Sequence, residues 1–113
     1  MSKSFQVTRL ENARNLTIVA IDVLENGGFE MSDWSTGAFA DEVYGSDVDR
    51  IIKLTPEAVE KLTTSLTAIP EPKTAESCAR YLTQKFSGEN RALTMIRDLC
   101  DQHDVQYSEE FWP

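Results

Sequence analysis

Cys100 and His103 stand three residues apart near the C-terminus, a spacing that brings both side chains close to one face of a helix. Cys78 lies ten residues before Gly88 and Cys100 twelve after it, so a helical hairpin turning at Ser87-Gly88 sets the two thiols at similar heights. Two thiols and an imidazole are three ligands for a tetrahedral zinc ion, with Asp104 as a fourth. A thiol beside an imidazole is also the pairing of nucleophilic catalysis. Against this, free cysteine commonly packs as a small buried hydrophobe, and a histidine at a helix C-terminus is favoured there as a cation. Packing is the expected role of both cysteines, with no metal or cofactor. A small metal-binding or thiol-dependent domain using Cys78, Cys100 and His103 is the alternative.

Carboxylates stand side by side at Asp41-Glu42 and Glu109-Glu110. Acid–base chemistry needs two whose environments drive their pKa values apart within one cleft. Neighbours on a short helix point in different directions and are expected to be solvated. Gly27-Gly28 has neither the spacing of a phosphate-binding loop nor a lysine after it. The chain is therefore expected to be no enzyme.

The strongest signal is where the charge sits. Between Asn15 and Asp49 there are eight carboxylates (Asp22, Glu25, Glu30, Asp33, Asp41, Glu42, Asp47 and Asp49) and no lysine or arginine, within a chain of net charge −8. Such a surface repels phosphates and anionic lipid and attracts basic protein surfaces. A helix–turn–helix outline can be drawn from Arg9 to Tyr44, but its second helix would carry Asp33, Asp41 and Glu42 and no base, which excludes direct nucleic-acid binding. Large aromatics interleave with the acids, the composition of a binding patch for a basic partner. The expected partner-binding residues are Glu30, Asp33, Trp34, Asp41, Glu42, Tyr44, Asp47 and Asp49. The expected activity is that of a small acidic protein that binds another protein, in its sharpest form an inhibitor covering a basic nucleic-acid-binding surface. Small acidic proteins that phages and mobile elements direct at host nucleic-acid machinery resemble this composition. A homodimer using the aromatics for self-association is a further alternative.

Local punctuation places these residues on helices. Thr8 to Glu11 reads as a capping box, Leu10, Ala13, Leu16, Thr17, Ala20, Val23 and Leu24 repeat at helical spacing, and Gly27-Gly28 suits a C-terminal cap, predicting a helix over Arg9–Asn26. The rival reading is a hairpin, because Leu16–Leu24 is rich in β-branched residues and Asn26-Gly27 is a turn signal leading into Phe29–Trp34. Ser32 caps a predicted second helix ending at Tyr44, and Ser46 opens a brief third over Asp47–Leu54. Thr55-Pro56-Glu57 starts the next, and Ile69-Pro70-Glu71-Pro72 is an elbow. Thr74 caps a helix with Cys78, Tyr81, Leu82 and Phe86 on its apolar side. A final helix from Glu89 to about His103 buries Ala92, Leu93, Ile96, Leu99 and Cys100. The expected fold is all-α, one domain over residues 1–113 with five or six short helices and an extended tail over 104–113. The alternative is α+β, an N-terminal hairpin followed by helices. No apolar run is long enough to span a bilayer. With two cysteines and no secretory leader, the expected location is a reducing cytoplasm.

Overall fold

The computed structural model describes residues 3–11, 15–37 and 48–112. It overturns the all-α expectation and the helical character that went with it. Five strands, β1 (Lys3–Glu11), β2 (Asn15–Val23), β3 (Phe29–Gly37), β4 (Val48–Leu54) and β5 (Ser108–Trp112), form one antiparallel sheet in the spatial order β1-β2-β3-β4-β5. Three helices among the described residues, α1 (Pro56–Ser65), α2 (Ala75–Lys85) and α3 (Ala92–Gln102), connect β4 to β5. The hairpin-first α+β alternative is in part the observed arrangement. No helix here is long and apolar enough to cross a membrane.

The predicted helix over Arg9–Asn26 fails at both of its caps. Thr8 Oγ1 donates to the Glu89 carbonyl at 2.8 Å, and Glu11 pairs with Arg9 Nη2 at 3.1 Å, so neither closes a capping box. At the other end Gly27 takes φ +92° inside a hairpin turn, which Leu24 N–H closes onto the Gly28 carbonyl at 2.9 Å. Asn26 Oδ1 accepts from Gly28 N–H at 2.8 Å and braces the turn. Between them Thr17, Ile18, Val19, Ile21 and Val23 make the β-branched run of a strand.

The predicted helix opened by Ser32 is likewise strand β3 as far as Gly37; its remainder to Tyr44 lies outside the described residues. The predicted segment Asp47–Leu54 is strand β4 from Val48 on. Here alternation wins: Ile52 and Leu54 are buried, while Ile51 and Lys53 lie on the opposite face. Within the expected tail, Ser108–Trp112 pairs with β4 in unbroken register, Asp49 opposite Trp112 through Lys53 opposite Ser108.

The helix signals from Thr55 onward hold. Thr55 Oγ1 accepts from Ala58 N–H at 3.2 Å with Pro56 at the first helical position, and Thr74 Oγ1 accepts from Ser77 N–H at 3.1 Å. The final helix begins at Ala92, without a side-chain cap, and not at Glu89. Gly88, at φ +78°, makes the turn before it. All three helices contribute to a core against one face of the sheet. Val19, Ile21, Phe29, Met31 and Ile52 from the strands are fully covered together with Leu62, Leu82, Leu93 and Ile96 from the helices. Each such side chain contributes about 1.5–3 kcal/mol by leaving water, which outweighs any local helix preference in β2.

Candidate partner-binding surface

Strand pairing sorts the residues of the sheet into two faces, because successive side chains alternate and cross-strand partners share a side. The helix-facing side carries the pairs Ile21–Met31, Met31–Ile52 and Phe29–Leu54. The opposite side carries Leu16, Ile18, Ala20 and Asp22 from β2, Glu30, Ser32 and Trp34 from β3, and Ile51 and Lys53 from β4. No described helix packs on that side, and these β2 and β3 residues and Ile51 are half-buried.

Two rows cross the open face. In the first, Arg9 of β1 stands opposite Ile18, which stands opposite Trp34, which stands opposite Asp49, with Trp112 the next register position. In the second, Gln6 is followed by Ala20, Ser32, Ile51 and Glu110. Ile18 and Trp34 are direct cross-strand partners, and Leu16 and Ile51 extend them into an apolar strip. An antiparallel sheet with one packed face normally turns polar side chains to water on the other. The strip is therefore a departure that calls for a cover. Asp22 and Glu30, themselves cross-strand partners, bound it toward the hairpin turn, Glu110 on the β5 side, and Glu11 at the β1 end. Against these acids stand Arg9, paired with Glu11, and Lys53, whose Nζ lies 3.9 Å from Glu110.

The other face of β5 is tied down. Arg50 Nε donates to Glu109 Oε2 at 2.6 Å, and Arg50 Nη1 donates to Thr94 Oγ1 of α3 at 2.7 Å. Nη2 lies 2.6 Å from the same Glu109 oxygen, an ion-pair contact out of hydrogen-bond alignment. Arg97 Nη1 approaches that carboxylate at 3.7 Å. One glutamate thus joins two arginines, from β4 and from α3, and holds β5 in the sheet.

Of the expected binding residues, Glu30 and Trp34 come together on the open face, and Asp49 occupies the register position across from Trp34. Asp33 does not join them. It is on the helix-facing side, opposite Val19 and Arg50, and its Oδ1 accepts from the Ser35 hydroxyl at 3.4 Å. Asp41, Glu42, Tyr44 and Asp47 lie outside the described residues. Leu16, Ile18, Ala20 and Ile51 were missed by sequence reasoning, because a helix would have turned part of that run inward. The available signal was the β-branched run of Thr17, Ile18, Val19, Ile21 and Val23 leading to the Asn26-Gly27 turn.

Cys78 and Cys100 are free thiols, fully buried in the core. Burial pushes Cys78 up to about 11 and Cys100 up to about 12, so both stay protonated and shielded where a nucleophile must be an exposed thiolate. His103 caps α3, its backbone N–H donating to the Leu99 and Cys100 carbonyls at 3.2 Å each. No group of three His, Cys, Asp or Glu side chains able to hold a metal ion occurs among the described residues. A shallow surface groove beside α3, lined by Lys61, Asp101, Asp104, Val105, Gln106 and Tyr107, is partly closed by Lys61 Nζ donating to the Asp104 carbonyl at 2.7 Å. Compared with the models of known protein families, with characterised proteins and with solved structures, the chain matches none.

Proposed function

We propose that this chain is a non-enzymatic binding protein whose open sheet face docks on a basic surface of another protein. The apolar strip of Ile18, Trp34, Leu16 and Ile51, bounded by Asp22, Glu30 and Glu110 on a face that no described helix covers, is the observation that carries this reading. An aromatic anchor within an apolar patch supplies most of the affinity of a protein interface, and the surrounding charges select the partner and speed encounter. The acids favour a lysine- and arginine-rich partner of the kind that binds nucleic acid, and blocking such a surface is the sharpest form of the activity. Two copies of this chain meeting face to face would bring the same acids together, which disfavours a homodimer through this surface. The free cysteines fit a reducing cytoplasm as the place of action.

The test is affinity capture from lysate with nuclease added, run in parallel with Trp34→Ser and Glu30→Lys variants shown to be folded by circular dichroism. The expected result is one basic protein held by the wild-type chain, lost from Trp34→Ser, weakened in Glu30→Lys and released by salt. Equal capture by all three chains would remove the open face from the function. A solution mass twice that of the chain, lost in Trp34→Ser, would replace the partner by a second copy.

A further inference from the structure

Strands β2 and β3 pair in unbroken register from Asn15 opposite Gly37 to Val23 opposite Phe29, so the open face between them is a regular ladder. Its steps are Leu16 beside Thr36, Ile18 beside Trp34, Ala20 beside Ser32 and Asp22 beside Glu30. From Leu16 to Asp22 the ladder runs about 20 Å at the rise of an antiparallel strand. Size and polarity change along it in order. Leu16, Ile18 and Trp34 are large and apolar, the Ala20–Ser32 step is small, and the last step is two carboxylates. Like charges directly opposite each other destabilise a sheet. Asp22 and Glu30 are half-buried, and neither carboxylate makes a hydrogen bond or ion pair among the described residues. Lys53, the other cross-strand neighbour of Glu30, has its Nζ 3.9 Å from Glu110. An apolar ladder thus ends in a carboxylate pair that no described side chain neutralises.

We propose that this ladder seats one amphipathic helix of the partner, lying along β2 and β3. Its apolar stripe covers Leu16, Ile18 and Trp34, and a lysine or arginine of its end turn reaches Asp22 and Glu30. This rests on the reading above that the partner is a basic protein. The backbone decides between a helix and an extended segment. A sheet face offers side chains only, since β2 bonds to β1 and β3, and β3 to β2 and β4. An extended segment laid on it would bury its own N–H and C=O groups without partners, whereas a helix closes those bonds within itself. The layering of the fold agrees. An apolar sheet face is buried against another layer, and the three helices of this chain form that layer on the other side. The Ala20–Ser32 step lacks bulk and lets a helix approach at the middle of the ladder. A ladder of about 20 Å matches a helix of about thirteen residues. A second copy of the chain does not fit this seat with its described helices, because their apolar sides are spent on their own core. The carboxylate pair selects a basic occupant and repels an acidic one.

The experiment uses the full chain labelled with nitrogen-15. The probe is a synthetic peptide of about thirteen residues with leucines at helical spacing on one face and two lysines in its last turn. A second peptide scrambles the leucines, which keeps the charge and removes the stripe. A third carries glutamate in place of lysine. Expected at about 1 mM of the first peptide are amide shifts along Leu16–Asp22 and Glu30–Trp34 and a gain in helical circular dichroism on mixing, with at least about tenfold weaker binding of the other two. Glu30→Lys should weaken the lysine peptide by about tenfold and tighten the glutamate peptide. Equal shifts with the scrambled peptide, or binding without a gain in helicity, would overturn the helix as occupant. Shifts confined to α1, α2 and α3 would overturn the seat. Silence with all three peptides would overturn the proposal too, and the lysate comparison with Trp34→Ser would then decide the reading above on its own.

Discussion

Removing Glu109 is the sharpest test of how the last strand is held. The carboxylate contacts Arg50 through Nε and Nη2 at 2.6 Å each, and the Arg50 side chain is only 12% exposed. Two unit charges about 4 Å apart attract by about 4 kcal/mol at the effective dielectric of a site near a protein surface. The Glu109 side chain is 30% exposed, which admits solvent screening, and desolvation of both groups offsets part of the attraction. Thr94 stays bonded to Nη1, so the arginine retains one partner after the carboxylate is gone. We expect Glu109→Ala to cost about 2 kcal/mol, between the small worth of an exposed pair and the 3–5 kcal/mol of breaking a fully buried one. For a domain of this size that lowers Tm by about 8 °C. The assay is urea unfolding followed by far-ultraviolet circular dichroism on Glu109→Ala, Arg50→Leu and the double variant. Because Arg50→Leu removes the charge that Glu109→Ala leaves unpaired, the double variant should be at least about 1 kcal/mol more stable than the sum of the singles predicts. A Glu109→Ala chain within about 0.3 kcal/mol of wild type, or singles that add, would refute the account of β5 as anchored by this pair.

Native chain should resist thiol reagents at pH 8 and yield two reactive thiols on unfolding; rapid labelling of either in the folded state would contradict their burial. Since burial raises both thiols in the folded chain, the unfolded chain loses their protons first, so stability is full below about pH 9 and falls as pH climbs toward 11 and 12. Cys100→Ala should flatten that alkaline decline, and an unchanged slope would count against the assignment. Gly28→Ala places a Cβ 2.8 Å from the Leu54 carbonyl oxygen, a backbone atom that cannot step aside, so denaturation should show a loss of more than about 1 kcal/mol. Thr55→Ala removes the cap on Ala58 N–H and should cost about 1 kcal/mol in the same assay, while Thr55→Ser recovers most of it.

Interactions that act over about one helical turn are legible in the residues alone. Thr55-Pro56 and Thr74 start helices because a hydroxyl accepts a bond from an N–H three residues ahead, and Gly88 turns because a glycine takes positive φ at little cost. The burial of Cys78, Leu82, Leu93, Ile96 and Cys100 follows from their spacing on α2 and α3. The acidic character of residues 15–49 is legible as composition, and Glu30 and Trp34 were read from it as partners on one surface. The tertiary structure alone decided the N-terminal half. In Leu16–Leu24 nearly every residue is apolar, so the run satisfies a period of 3.6 as well as a period of 2, and Gly27 suits a helix cap as well as a hairpin. What breaks the tie is the supply of partners. β2 is flanked on both sides, Ile21 between Phe5 and Met31, and no local rule encodes those neighbours. The same holds for Asp33, whose side of the sheet is set by register and not by its charge. Arg50 and Glu109 meet across 59 positions of sequence. A contact of that range depends on β5 returning to β4 after three helices have packed, and its energy exists only once the fold does.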